Sequence, residues 1–398
     1  MTTRELTTPD SLQQLIEAVL STKPVKGLTH NLYRYPARFS PQFARAAIRA
    51  FTKPGDVILD PFMGGGTTLV EALAANRHAI GSDVSPIATF VSQAKTTPLS
   101  EKDLQRISEW AKKVASETRA TQHVRASKWF ELGYHKDIPW PIRKSIEIIL
   151  CQLAELENPK QRRFARSVLL KTAQWAVDCR GTIPSAQSFR EKLFFNVQEA
   201  STGMRELSAC MKKSGSTEGE LPLCICLNAP VTDLVNRKEL RLFSAKPKLV
   251  LTSPPYPGVH VIYHQWQVNS RRRTPAPFWI IDSLDGQPSS HYTFGYYQTH
   301  QANNTYLQSA QSAFWTIRSL VDKNATVVQL VGFSDPVSFL PKYLLMMEKA
   351  GFKEIALSRD TMGRIQRVWR DVPNRRWYVD AKESVSTSKE VLLVHHPN

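Results

Sequence analysis

The sequence predicts an α/β protein, a doubly wound Rossmann-like sheet with an inserted helical domain. Three observations carry that reading. A short apolar strand, Val57 to Asp60, runs into Gly64-Gly65-Gly66 and then into an alanine- and leucine-rich helix, the pattern of a βαβ unit in a parallel sheet. A second apolar run, Leu249-Val250-Leu251, ends in Thr252-Ser253-Pro254-Pro255-Tyr256, where two prolines cannot continue a hydrogen-bonded ladder. Between them, from about Leu99 to Ser214, apolar residues recur at helical spacing.

The 398 residues are 42% hydrophobic, enough for two or three packed units with a real core. No apolar run approaches the roughly 20 residues that cross a bilayer, so no membrane partner is expected. Met1 to Leu6 hold no apolar signal region, which predicts a cytoplasmic location. The cysteines Cys151, Cys179, Cys210, Cys224 and Cys226 are scattered. Cys224 and Cys226 stand one residue apart in an expected strand, with side chains read as lying on opposite sides or nearly so. Neither a zinc cluster nor a disulfide framework is indicated. The net charge of +17 favours a polyanionic partner, through phosphate contacts and counterion release.

Taken in order, the first element is a helix capped near Asp10, with Leu12, Leu15, Ile16 and Val19 on one side. The aromatic and basic loop His30 to Pro41 leads into a helix from Gln42 to Phe51, with Pro41 suited to its start. Tyr33, Tyr35 and Phe39 in that loop either line a pocket or pack on the next strand. The three glycines let a backbone approach a ligand and expose amides at a helix start. No lysine follows them, so the turn is neither a Walker loop nor the dinucleotide fingerprint. Strand His78 to Asp83 ends in an acid about 20 residues beyond the turn, where a carboxylate binds ribose hydroxyls in Rossmann-like folds. Capping of the helix at Ser85-Pro86 is the plainer role for Asp83.

Three apolar stripes build the helical insertion: Leu104, Ile107, Trp110, Ala111, Val114 and Ala115; Ile142, Ile146, Ile149 and Leu153; Phe164, Val168, Leu169 and Ala173. Basic residues between them, among them Lys136, Arg143, Lys144, Arg162 and Arg163, give it a positive outer surface. Lys213 to Glu220 reads as a flexible link, after which the sheet resumes at Leu221 to Leu227, before Asn228. From Tyr256 to about Tyr297 the chain reads as a long irregular span carrying Arg271-Arg272-Arg273, and loops of that length are functional or disordered. A helix from Asn303 to Asp322, a strand from Ala325 to Val331, a helix from Pro336 to Ala350 and strands at Phe352 to Leu357 and Glu390 to His395 complete the sheet. A second basic connection, with Arg364, Arg375 and Arg376, precedes the last strand.

A serine before two prolines offers a hydroxyl and rigid carbonyl acceptors suited to a planar amino group, and Tyr256 offers a ring face. Two stretches together resemble the DNA amino-methyltransferases, which use S-adenosyl-L-methionine. Asp60-Pro61-Phe62-Met63-Gly64-Gly65-Gly66-Thr67 is similar to that family's cofactor loop, D-P-F-x-G-S-G-T, with Gly65 replacing a common serine. Thr252-Ser253-Pro254-Pro255-Tyr256 is similar to its catalytic motif in the S-P-P-Y form. The resemblance spans residues 28–98 and 221–398 and is weak or absent across the insertion.

The resemblance implies a methyltransferase domain in two parts, 1–98 and 216–398, around a candidate target-recognition domain at 99–215. It implies cofactor contacts from Tyr35, Pro36, Ala37, Phe39, Asp60, Pro61, Phe62, Gly64, Gly66, Thr67 and Asp83, with Asn228 where many members carry an acid near the adenine. Catalysis would fall to Ser253, Pro254, Pro255 and Tyr256, with no metal. Arg271, Arg272, Arg273, Arg364, Arg375 and Arg376 are the candidates for DNA phosphates. Serine at the first motif position is similar to cytosine-N4 enzymes, whereas adenine-N6 enzymes more often carry Asp or Asn. The implied activity is N4-methylcytosine formation in double-stranded DNA by base flipping. The implied setting is a bacterial cytoplasm, at the nucleoid, in restriction-modification or another defence system, with a cognate restriction endonuclease as partner. Two alternatives stay open: the same chemistry on adenine N6 or an RNA base, and a nucleic-acid-binding protein that keeps the fold without turnover.

Overall fold

Thr8 caps the first helix, α1 (Pro9–Leu20), its side chain accepting from the Ser11 amide. Asp10, the expected cap, instead lies in the first turn, where a carboxylate favours the positive end of the helix. This computed structural model describes residues 8–23, 26–36, 39–119, 121–122, 128–179, 181–213, 221–257, 265–268, 272–284, 289–294, 300–333, 335–371 and 389–398. Ser40 caps α2 (Pro41–Phe51), which begins on its proline. There follow β1 (Val57–Asp60), α3 (Thr67–Ala74), β2 (His78–Asp83) and α4 (Pro86–Thr96). The helices α5 (Glu101–Glu117), α6 (Lys128–Glu131), α7 (Trp140–Gln152), α8 (Pro159–Val177) and α9 (Ala186–Lys213) then intervene before β3 (Cys224–Asn228) and β4 (Leu249–Thr252).

The span after Tyr256, expected to be irregular, contains β5 (Trp266–Val268), β6 (Arg272–Thr274) and α10 (Ala276–Ile281). The chain continues through α11 (His300–Leu320), β7 (Thr326–Phe333), α12 (Pro336–Lys349), β8 (Phe352–Glu354), β9 (Ser358–Arg359), β10 (Ile365–Gln366), β11 (Trp369–Asp371) and β12 (Lys389–Pro397). The expected link at 214–220 lies outside the described residues.

Among the described residues the main sheet runs β11-β12-β7-β4-β1-β2-β3, with β8 also on β12. β3, β2, β1, β4 and β7 are parallel, and β12 enters antiparallel to β7. The chain starts in the middle at β1, moves outward through β2 to β3, then returns to the other side of β1 as β4. That reversal makes the carboxyl ends of β1 and β4 the topological switch point, the position at which open α/β sheets bind ligands.

Alternation along the strands sorts the core into two layers. Val57, Leu59, Val250, Val327 and Leu393 face α11 and α12, while Ile58, Leu249, Leu251, Val328 and Leu392 face α1 and α2. The same period places Cys224 and Cys226 on one face of β3, correcting the opposite-side reading; the Cys226 sulfur approaches Thr96 Oγ1 at 3.8 Å.

The three expected helical stripes are buried in a further cluster, with Ala115 at its margin. That cluster also takes in Ile87, Ala88 and Val91 of α4, and Trp266, Val268, Phe278, Trp279 and Ile280 from the span after the S-P-P-Y turn. The Cys179 amide donates to Gln267 O at 2.7 Å and Thr274 Oγ1 to Lys136 O at 2.8 Å, fastening the β5–β6 hairpin to the helices. No helix among the described residues is long and apolar enough to cross a membrane.

The long helix α9 lies close against the loop before the short 3-10 turn His30–Leu32: a Cβ on Gly203 would collide with Leu28 O. Replacing a helical glycine by alanine ordinarily stabilises by up to about 1 kcal/mol. Here Gly203→Ala is expected to destabilise by about 1–3 kcal/mol, because the helix must move off a backbone carbonyl. Denaturant unfolding reads the sign directly.

Candidate active site

β1 and β4 pair in register, Ile58 opposite Leu249 and Leu59 opposite Val250, so Asp60 and Thr252 end their strands together. The Thr252 hydroxyl donates to Asp60 Oδ1 at 2.6 Å, with both residues buried. Thr68 Oγ1, in the first turn of α3, donates to Leu251 O at 3.1 Å. The D-P-F and S-P-P-Y stretches are therefore one hydrogen-bonded unit. Burial raises the Asp60 carboxyl from 3.8 to about 6, against hydrogen bonds from Thr252, Thr68 and the Phe62 amide.

The turn after Asp60 needs its glycines. Gly64 and Gly66 have φ of 45° and 73°, a region that side chains with a Cβ resist. A Cβ on Gly65 would come within 2.7 Å of Tyr35 Cβ. From α4, Ser92 Oγ donates to Gly64 O at 3.1 Å and the buried Lys95 ammonium to Gly65 O at 2.8 Å. Tyr35 thus packs on one side of the turn and α4 braces another. Thr67 and Pro61 are buried, and Phe62 is half-buried, edge-on to Phe294 at 5.4 Å.

Asp83 ends β2 half-buried, its Oδ2 accepting from the Gly64 amide at 2.9 Å and its Oδ1 from the Ser85 amide at 2.8 Å. Ser85 itself caps α4, so Asp83 ties the glycine turn to the helix start. Burial raises its carboxyl to about 6 against those two amides. Asn228 stands opposite Asp83 in the β2–β3 register and gives its amide hydrogens to Asp83 O and Val84 O, each at 3.0 Å. The aromatic loop divides: Tyr35 reaches the glycine turn, and Pro36 is half-buried. Phe39 is buried in the sheet core, edge-on to Phe43 at 5.3 Å. Ala37 lies outside the described residues.

Beyond Thr252, Ser253 Oγ donates to Tyr256 OH at 2.9 Å, and Tyr256 OH donates to Glu390 Oε1 at 2.7 Å. Pro254 is buried, while Pro255 gives its carbonyl to Tyr306 OH at 2.8 Å. Burial, and then the neighbouring Glu390 carboxylate, push the Tyr256 hydroxyl well above the ordinary phenol range. Ser253, Pro255 and Tyr256 are each partly exposed, leaving a polar, half-open turn beside the glycine turn.

The sequence did not point to Ser92, Lys95, Tyr306 or Glu390. Only Glu390 carried a signal, an acid opening the apolar run Val391 to Val394. The arginines fall on two surfaces. Arg272, with exposed Arg273 beside it, pairs with Asp137 at 3.1 Å on the hairpin packed against the helices. Arg364 pairs with Asp360 at 2.7 Å in the exposed β9–β10 hairpin. Arg271, Arg375 and Arg376 lie outside the described residues. No group of three His, Cys, Asp or Glu side chains among the described residues is placed to hold a metal ion.

Comparison with known proteins bears on the amino-terminal part of this site. Residues 8–95 match the N6/N4 DNA methylase family. The Type II methyltransferase M.MvaI of Kocuria varians is 43% identical over 84 residues, 20% of this chain and 18% of that one. The Type II methyltransferase M.MjaII of Methanocaldococcus jannaschii is 34% identical over 89 residues, 22% of this chain and 16% of that one. The matched stretch is thus less than a fifth of either relative's length. Among solved structures, the rRNA methyltransferase aviRa of Streptomyces viridochromogenes has a TM-score of 0.34 at 12% identity, over 99% of this chain and 93% of that one. The sequence matches liken residues 8–95 to N6/N4 DNA methylases.

The raised carboxyls set a pH dependence. A ligand held by ionised Asp83 must displace the proton that the free site takes up below about pH 6. If S-adenosyl-L-methionine is the ligand so held, its affinity is expected to fall by up to about tenfold per pH unit below that point, and Asp83→Asn to flatten the dependence; calorimetric titration from pH 5 to 8 checks both. In the free fold the sign is opposite. The folded state binds these protons more tightly than the unfolded chain, so their penalty on stability grows as pH rises from 3.8 to about 6.

Proposed function

We propose that the chain is an S-adenosyl-L-methionine-dependent DNA methyltransferase acting on the exocyclic N4 of cytosine in double-stranded DNA. The observation that carries the reading is the Thr252–Asp60 hydrogen bond at 2.6 Å, which joins the glycine turn to the serine-proline turn at adjacent strand ends. The residues present fit the cofactor. Asp83 is a half-buried acceptor at the end of β2, as ribose hydroxyls require, and the glycine turn at Gly64 and Gly66 would lie near its methionine end. Tyr35, Pro36 and Phe62 would cover it, and Asn228 would stand nearest the adenine.

When bound, the sulfonium supplies an activated methyl group. The chain's own task is to present a weakly nucleophilic amine, conjugated with its ring, in line with that methyl. Ser253 Oγ and the Pro254 carbonyl would accept hydrogen bonds from the amine as the nitrogen becomes tetrahedral, and the proton that the nitrogen sheds on gaining the methyl would pass to solvent. Tyr256 would lie against the extruded base. Positioning of this kind accounts for much of the rate in a transfer from an activated donor. Serine rather than Asp or Asn at the first motif position favours cytosine N4 over adenine N6.

Arg272, Arg273 and Arg364, with Arg271, Arg375 and Arg376, are the proposed phosphate contacts, consistent with a net charge of +17. The helical layer, residues 99–215, is the proposed target-recognition part. The Type II names of the relatives favour a restriction-modification setting in a bacterial cytoplasm, with a cognate endonuclease as partner.

The test is to incubate the protein with unmethylated DNA and labelled S-adenosyl-L-methionine, then digest and separate the nucleosides. Label in N4-methylcytosine is expected, with Ser253→Ala slowing turnover by about ten- to a hundredfold. Label in N6-methyladenine would keep the reaction and reject the reading of Ser253. Full turnover by Ser253→Ala would remove the serine from the mechanism.

A further inference from the structure

The hydroxyl of Ser253 can serve as an acceptor for an amine only if its own proton points elsewhere. The sheet register provides for this. On β12, Glu390 lies opposite Gly332 of β7 on one side and opposite Arg370 of β11 on the other. Arg370 donates Nε to Glu390 Oε2 at 2.7 Å and Nη2 to the same oxygen at 2.6 Å, and its Nη1 donates to Val19 O at 3.1 Å. Both side chains are nearly buried. That leaves Oε1 facing Tyr256 OH at 2.7 Å. Gly332 makes room for the ring: a Cβ there would stand 2.6 Å from Tyr256 Cδ2.

The direction of every bond in this chain follows from what each group can do. A guanidinium only donates and an ionised carboxylate only accepts, so Tyr256 must spend its proton on Glu390. Its oxygen is then an acceptor, and the bond from Ser253 at 2.9 Å must be donated by the serine. The serine lone pairs are thereby left for the site.

We propose that Glu390, fixed by Arg370, is a positioning residue that sets the direction of the Tyr256–Ser253 hydrogen bonds and so keeps Ser253 Oγ an acceptor toward the amine. This rests on the methyl-transfer reading of the site. The high proton affinity of the buried Tyr256 hydroxyl agrees with its acting as a donor.

Glu390→Gln tests the direction while keeping size. Arg370 would claim the amide oxygen, so the amide nitrogen would donate to Tyr256, whose proton would turn to Ser253. The serine would then point its own proton at the amine. In steady-state methylation with the full chain, Glu390→Gln is expected to lower kcat about ten- to a hundredfold with cofactor Kd unchanged, and to lower Tm because the buried Arg370 guanidinium loses its counter-charge. Tyr256→Phe keeps the ring and frees the serine proton to rotate, so it is expected to lose less than Glu390→Gln. Adding Glu390→Gln to Tyr256→Phe is expected to have no further effect, since the relay is already cut.

Unchanged kcat in Glu390→Gln overturns the proposal, as does a loss that persists in the Tyr256→Phe background. Tyr256→Phe being the worse variant overturns it, and so does a fall in cofactor affinity that accompanies the Glu390→Gln loss. A wild-type protein that binds the cofactor but methylates no base rejects the methyl-transfer reading itself, and this role with it.

Discussion

The hydrogen bond between Thr252 and Asp60 is the contact on which the site depends. A carboxyl in the sheet interior is costly unless it is hydrogen-bonded, and Asp60 draws its donors from both motifs: the Thr252 hydroxyl, and the Phe62 amide at the start of its own turn. The partner strands β1 and β4 are separated by nearly the whole helical layer along the chain, yet they meet in parallel register at their carboxyl ends. Neither turn can shift alone without leaving a buried oxygen short of a donor. The glycine turn, the start of α3 and the proline turn therefore keep one common geometry.

Around that contact, each part of the site is held by something behind it. Ser92 and Lys95 brace the glycine turn from α4, Asn228 pins the bend after Asp83, and Tyr306 holds the Pro255 carbonyl. Such support fixes the polar groups before any ligand arrives, which is the condition for useful positioning. The positive surface obeys a looser rule. The ion pair of Arg272 with Asp137, and that of Arg364 with Asp360, are exposed on the arginine side, and exposed pairs contribute only about 0–1 kcal/mol. These arginines can exchange a carboxylate for a phosphate at little cost.

Much of the fold was legible because its signals are local. Apolar triplets, glycines where φ must be positive, prolines that end a ladder and helical stripes each report on their own few residues, and β1, β4, Asp83 and the helical layer followed from them. What escaped depends on partners far along the chain. Trp266, Val268 and Phe278 are interrupted by arginines and prolines, so no period announced a hairpin and helix in the span after Tyr256; only packing against α8 and α4 makes that segment regular. Glu390 reads as a surface charge until the β12 register sets it between Gly332 and Arg370. The pair Cys224 and Cys226 was misplaced for a different reason, since the two-residue period of a strand puts them on the same face.

The same hairpin and helix bear on how the chain can be cut. Trp266, Phe278, Trp279 and Ile280 share one cluster with the insertion's stripes and with Ile87, Ala88 and Val91 of α4. Deleting residues 99–215 would strip the cover from apolar side chains belonging to both flanking parts of the chain, and would leave a broad hydrophobic scar instead of a closed sheet. The helical layer is thus an integral wall of the molecule, and exchanging it for another would require recutting the segment that follows the proline turn at the same time.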